Sequence, residues 1–204
     1  ILNETSPDYK LIEKYLKNTQ EDWNLQIQQI FAVKRDNEAA QFRAELGSRM
    51  LLWHGSGVSN FAGILSEGLR IAPPKVSHSG DTFGQGIYLA DMVRRSITFC
   101  RVDNSGTALL LLCDVALGTV EEHIKSKGYN PLSKNSTAVK ALGRTVPDPE
   151  DFYDHPAGFR IPFGKLRNSS KPCLLRYNEY IVYDEKQVQI KYLVRVRVTA
   201  RPNK

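Results

Sequence analysis

The chain has 204 residues, 41% of them hydrophobic and 25% charged, an ordinary globular balance that excludes a disordered or fibrous protein. Lys and Arg number 28 against 22 Asp and Glu; the net charge of +6 is compatible with polyanionic substrates and equally with a solvated basic surface. No apolar run approaches the ~18 residues of a membrane span, so no membrane partner is expected. No signal-peptide pattern opens the chain, which begins at Ile1 without a methionine in the manner of an excised fragment. The cysteines (Cys100, Cys113, Cys173) are odd in number and widely spaced, which argues against a disulfide framework and for a reducing, intracellular compartment. His54, His78, His123 and His155 are scattered too, and no metal site is expected.

In chain order, Ser6-Pro7-Asp8 starts a helix: a cap, a proline at the first helical position and an acid facing the positive end of the dipole. Leu11, Ile12, Tyr15 and Leu16 form its apolar stripe. Trp23, Leu25 and Ile27 alternate and the phase then slips to Ile30 and Ala32, a strand with a bulge. A short helix is predicted around Glu38 to Leu46, then a buried strand from Met50 to Trp53 that runs into His54-Gly55-Ser56-Gly57. Asn60 caps a helix through Leu65 that Gly68 ends. Pro73 and Pro74 break any ladder, and residues 75–86 read as a loop. Ile87 to Ala90 is a short strand, and Asp91 caps a helix reaching about Cys100. Thr107 to Leu117 is a central strand, and residues 119–170 read largely as loop.

Near the C-terminus a strand from Glu179 to Tyr183 and a turn at Asp184-Glu185-Lys186 precede a long alternation. Val188, Ile190, Tyr192, Val194, Val196 and Val198 face one way, and Gln187, Gln189, Lys191, Arg195, Arg197 and Thr199 the other, interrupted only by Leu193. That is an antiparallel strand with one wet face. Strands outnumber helices without alternating with them, so the class is α+β with a mainly antiparallel sheet. No linker or repeat divides residues 1–204, which read as one domain.

Three residues stand out for chemistry. His54 ends an apolar strand and meets a Gly-Ser-Gly turn, where a ligand can approach the backbone; alone, it is equally a satisfied core histidine. Tyr88 follows Gly84-Gln85-Gly86-Ile87 and could stack on a flat ring, or be a core tyrosine. The GxG lacks the third glycine and the strand-before-helix context of a dinucleotide fold. Glu179 opens an apolar strand, where a carboxylate is expensive unless used or paired in a buried salt bridge.

Taken together and in order, Leu-Trp-His54-Gly-Ser, Gly-Ile-Tyr88 and Asn-Glu179-Tyr-Ile-Val-Tyr resemble the catalytic domain of the poly(ADP-ribose) polymerases, closest to the DNA-damage-responsive nuclear members. The resemblance covers nearly the whole chain, including Asn60 to Leu65, Gly68 to Pro74, Gly84 to Val93, Asp114 to Gly118 and Lys191 to Leu193. It implies an ADP-ribosyltransferase fold, two packed, mainly antiparallel sheets flanked by short helices, with NAD+ in the cleft as ADP-ribose donor. His54 would bond the adenosine ribose, with Ser56, Asn60 and Arg70 on the adenosine half. Gly55 and Ser96 would hold the nicotinamide carboxamide, with Tyr88 and Phe99 on the ring's two faces. Glu179 would bind the nicotinamide ribose, stabilise its developing charge and orient the acceptor. The implied partners are protein acceptors, the enzyme itself and chromatin proteins among them, in the nucleus.

The sequence departs from the family pattern at several places. Phe99 replaces a second stacking Tyr, Arg95 a Lys near the catalytic Glu, and Leu89 a common Phe. Asp81, Gln85 and Met50 stand where Tyr, Lys and Arg are usual, which puts loop contacts and acceptor preference in question. The autoinhibitory helical domain and DNA-sensing domains usual in the family are expected to lie outside these 204 residues, so that DNA would act only through domains absent from the chain. The leading reading is poly(ADP-ribose) synthesis. The alternatives are a mono-ADP-ribosyltransferase, against which the retained Glu179 argues, and a silent module that binds nucleic acid or ADP-ribose.

Overall fold

A computed structural model describes residues 1–72, 82–124 and 132–200. Pro73, Pro74, His78, Asp81 and most of the loop expected over 75–86 lie outside the described residues.

Helix α1 (Pro7–Thr19) starts as its sequence dictates, the Ser6 hydroxyl accepting the Tyr9 N–H at 3.3 Å. Strand β1 (Asn24–Ala32) pairs with irregular register at Asn24/Leu25 and Ile27/Gln29, as the slipped phase required. The helix expected over 38–46 is two pieces, α2 (Asp36–Gln41) and a 3-10 turn at Ala44–Leu46, because Phe42 is extended between them. Strand β2 (Arg49–Gly55) continues through His54 and Gly55. Helix α3 (Phe61–Glu67) ends at Gly68, whose φ of +89° suits glycine and whose N–H returns to Ile64. Asn60 does not cap it; its side chain donates to Ser56 Oγ instead.

Strand β3 (Ile87–Leu89) is followed by α4 (Val93–Ser96) and a 3-10 turn, Ile97–Phe99, in place of one helix to Cys100. Asp91 is not its cap: Met92 holds that position and the Asp91 side chain is buried against another strand. Strand β4 (Thr107–Ala116) is central, as expected. The stretch 119–170 is not largely loop. It contains β5 (Val120–His123), β6 (Ala138–Ala141), β7 (Gly143–Pro147), β8 (Tyr153–Asp154), β9 (Arg160–Ile161) and β10 (Leu166–Asn168). These strands are two to five residues long, too short for alternation to show, and tertiary pairing defines them. Strands β11 (Leu175–Tyr177), β12 (Glu179–Val182) and β13 (Val188–Ala200) complete the chain.

A six-stranded sheet runs β1-β13-β4-β2-β9-β8, a four-stranded sheet β3-β12-β6-β5, and a smaller third sheet β10-β7-β11. Pairing is mainly antiparallel, with β2–β9, β5–β6 and β7–β11 parallel. Strand β4 is buried on both faces. Leu110 and Leu112 meet Ile12, Tyr15 and Leu16 of α1, while Leu111, Cys113 and Val115 meet Ile87, Leu89, Tyr180 and Val182 of the four-stranded sheet. Although β12 and β13 are consecutive, they lie in different sheets. The connection at Asp184–Gln187 carries the chain between them, and buried Gln187 donates its amide to the carbonyls of Ala116 (2.9 Å) and Thr137 (3.1 Å). All three cysteines are free, and no helix among the described residues is long and apolar enough to cross a membrane.

Candidate active site

Register places the key side chains. Tyr88 of β3 pairs with Ile181 of β12. Glu179 lies two residues before Ile181 and so shares its face, making Tyr88 and Glu179 diagonal neighbours, roughly 7–8 Å apart by sheet geometry. Reciprocal backbone hydrogen bonds between Trp53 and Ala90 (2.8 and 2.9 Å) bring β2 alongside β3. His54 Nδ1 then lies 2.8 Å from the Tyr88 carbonyl. A carbonyl only accepts, so Nδ1 carries the proton and Nε2 is left as an acceptor. Burial lowers the His54 pKa, against a smaller opposing effect of that hydrogen bond, and keeps the ring neutral.

The Tyr88 hydroxyl donates to the Gly84 carbonyl (2.7 Å) and accepts the Phe83 N–H (3.0 Å), while Tyr183 donates to the Phe83 carbonyl (2.6 Å). Phe83, buried against Val139, Ala141 and Ile181, thus anchors the segment leading into β3. Gly86 is required there: a Cβ would come within 2.7 Å of the Val182 carbonyl oxygen.

Glu179 is buried, and Arg95 of α4 reaches it with Nε at 2.7 Å and Nη2 at 2.5 Å from Oε1. The Arg95 guanidinium also lies 4.4 Å from the centroid of the exposed Phe99 ring, a cation–π contact. The Arg95 and Phe99 departures are therefore coupled, since a planar guanidinium can lie over the ring while its edge serves the carboxylate. Gly55 packs directly on buried Ser96, where a Cβ would stand 1.9 Å from the Ser96 carbonyl oxygen. Cys100 adjoins this contact, but burial pushes its thiol up to about 12, which makes it a poor nucleophile.

A cleft of about 680 Å³ is lined by His54, Ser56, Asn60, Arg70, Gln85, Gly86 and Tyr88. Arg70 sits at its exposed rim, bonded to Glu67 (2.9 Å) and Glu185 (3.1 Å). The His54 and adenosine-side residues therefore share one cavity with Tyr88. Gly55, Ser96, Phe99 and Glu179 form a second group alongside, joined to the first through Tyr88 and β2. A larger cavity, about 850 Å³, shares no residue with the expected site; Asp91, Lys140, Asn178 and Tyr180 are among its lining. Its cations Arg49 and Lys171 already hold carboxylates, and none of the residues that the resemblance assigns to donor binding lines it.

Sequence reading missed the residues behind Glu179. Asp91 Oδ2 accepts from Asn178 Nδ2 (2.7 Å) and the Tyr180 hydroxyl (3.2 Å). Burial raises the Asp91 pKa to about 6, and the hydrogen bonds from Asn178 and Tyr180 and the charge of Lys140 only partly oppose this. The folded state therefore holds this proton more tightly than the unfolded chain, whose carboxyl titrates near 3.8. Asp91 favours folding most below pH 4 and loses that contribution, about 3 kcal/mol, as pH rises through 6. Asp91→Asn should thus gain stability relative to wild type on going from pH 4.5 to pH 8. Thermal unfolding of both proteins at the two pH values measures this, and a pH-independent difference between them would refute it.

Two sheets packed face to face, with a neutral histidine, a tyrosine and a buried carboxylate on neighbouring strands, have the architecture of an ADP-ribosyltransferase domain. The family model for the poly(ADP-ribose) polymerase catalytic domain matches residues 6–198, and the chain belongs to that family. It is 44% identical over 207 residues to poly [ADP-ribose] polymerase 1 of Caenorhabditis elegans, covering 97% of this chain and 22% of that protein. The proteins of the same name from Arabidopsis thaliana and Danio rerio are each 42% identical, over 94% and 97% of this chain and 20% of their own lengths. The chain thus spans about a fifth of the length of these curated relatives.

Proposed function

We propose that the protein transfers ADP-ribose from NAD+ to protein acceptors, itself included, and elongates the product to poly(ADP-ribose), releasing nicotinamide. The observation that carries this reading is the juxtaposition of His54, Tyr88 and Glu179 on β2, β3 and β12: His54 meets the Tyr88 carbonyl at the cleft, and Glu179, diagonal to Tyr88, lies alongside it, held by Arg95. The residues fit NAD+. The cleft is of ligand size, and His54 Nε2 is set to accept from a ribose hydroxyl. Gly55 and Ser96 close up as a small-residue floor for a carboxamide.

The donor supplies a glycosidic bond to a cationic leaving group. Cleavage of that bond develops positive charge on the ribose, as in glycoside hydrolysis. A buried carboxylate at Glu179 stabilises that charge where water is scarce, and the aromatic faces of Tyr88 and Phe99 hold the leaving ring. Glu179 then accepts the proton or hydrogen bond of the attacking hydroxyl. Arg95 keeps the carboxylate in place between these roles. From the likeness to the relatives we place the activity in the nucleus, with chromatin proteins among the acceptors.

The test is incubation of this chain with labelled NAD+, without DNA, followed by nicotinamide quantitation and mass spectrometry of the automodified protein. Chains of linked units are expected; single units would favour the mono-transferase, and no nicotinamide release would remove the assignment. Ser96→Ala should weaken benzamide by about 0.5–1.5 kcal/mol, several-fold in affinity, through loss of one carboxamide hydrogen bond. Calorimetry reads this directly, and unchanged affinity would place Ser96 outside the slot.

A further inference from the structure

The joint that carries Glu179 is unusual. Strand β11 belongs to one sheet and β12 to another, with the single residue Asn178 between them. Glu179 is therefore the first residue of its strand, where pairing alone leaves a side chain loosely held. Asn178 is fixed from two directions: its Oδ1 accepts the Gly143 N–H at 2.9 Å and its Nδ2 donates to Asp91 at 2.7 Å. The approach to β7 is so close that a Cβ on Gly143 would lie 2.1 Å from the Tyr177 carbonyl carbon. Tyr180, on the other flank of Glu179, donates to the same Asp91 oxygen. One buried carboxylate thus grips both neighbours of Glu179, and by strand alternation it does so from the face opposite the Glu179 side chain.

Four residues beyond Asp91, Arg95 holds the Glu179 carboxylate from the front. The segment from Asp91 to Arg95 therefore grasps the residue from both sides. This segment has its own anchors. The Val93 N–H donates to Thr19 Oγ1 (3.2 Å), and Val93 and Ile97 are fully buried. Removing the Asp91 carboxylate would release the strand joint rather than the helix.

We infer that Asp91 is a positioning residue for Glu179: it clamps Asn178 and Tyr180 so that the Glu179 carboxylate meets the donor ribose at the reacting distance. This rests on the assignment of Glu179 as the catalytic carboxylate. Misplacement of such a group by an ångström costs on the order of 100-fold in rate, whereas donor affinity, supplied by stacking and the carboxamide contacts, is untouched.

The experiment is a cycle of Asp91→Ala and Glu179→Gln, scored by nicotinamide release from NAD+. Asp91→Ala alone should lower kcat by about tenfold or more, with KM for NAD+ within about twofold of wild type. In the Glu179→Gln background it should change kcat by less than about twofold, because the group through which it acts is gone. An equal fold loss in both backgrounds would overturn the inference, as would a rise in KM at unchanged kcat. Near wild-type activity of Glu179→Gln alone would instead overturn the catalytic assignment, and the inference with it. Should Asp91→Ala not fold, Tyr180→Phe removes a single hydroxyl from the clamp. It should lower kcat by about three- to tenfold in the wild-type background and leave the Glu179→Gln rate unchanged; equal losses in both would again refute the clamp.

Discussion

Glu179→Gln should bind NAD+ nearly as tightly as the wild type, release nicotinamide about 100- to 1000-fold more slowly, and leave at most single ADP-ribose units on protein. The glutamine keeps the size and part of the hydrogen bonding, and the stacking rings and the Gly55–Ser96 floor are unaltered, so donor affinity has no reason to fall. The charge facing the ribose is lost, along with the group that accepts the acceptor's proton. Arg95, which places Nε and Nη2 on one carboxylate oxygen, would face a neutral amide, and its charge would no longer be balanced. Elongation draws on both roles of the carboxylate, so it should fall further than hydrolysis of NAD+. A gel of product labelled from NAD+ separates the outcomes, and long polymer at near wild-type rate would make Glu179 a structural carboxylate only.

Gly55→Ala should abolish binding of flat carboxamides such as benzamide. The added Cβ would stand 1.9 Å from the Ser96 carbonyl oxygen and 2.8 Å from its carbon. The obstacle is backbone, and Val93 and Ile97 on either side are fully buried, so α4 cannot simply step back. Forcing it outward costs about 1–3 kcal/mol in stability. It also displaces Ser96 and Phe99 together, removing the floor and one wall of the slot. Gly57→Ala is the control, because its Cβ would meet nothing nearer than 3.8 Å. Calorimetry should find no benzamide binding in the first variant and wild-type affinity in the second; wild-type affinity in both would mean that Gly55 and Ser96 do not form the slot.

Features governed by local chemistry were legible in the sequence. The Ser6 cap, the bulge in β1, the glycine at position 68 and the alternation along β13 follow from neighbours a few residues apart, and the structure has each of them. The short strands between Val120 and Asn168 were not legible, because two to five residues cannot display a period. Asp91 misled for a related reason. An aspartate two residues before a helix reads as a cap, yet this one turns inward to partners 87 and 89 residues away. His54, Tyr88 and Glu179 were legible as a set through resemblance, but their supports were not: Asn178, Gly143 and Tyr183 act through contacts that no spacing announces. The sequence shows Arg95 only as a departure from the usual Lys; its cation–π contact with Phe99 is visible in the structure alone.

The crossing at Gln187 bears on how donor and product exchange. Its side-chain amide ties the end of β4 to the residue before β6, so the two sheets that flank the cleft are fastened at one end by hydrogen bonds. The same sheets share the core formed by Cys113, Val115, Val182, Val188 and Ile190. A hinge between the sheets would have to break these contacts at once, so among the described residues the two sheets are held as one body. Exchange of donor and product is therefore expected at the rim, where Arg70 sits with its two carboxylate partners.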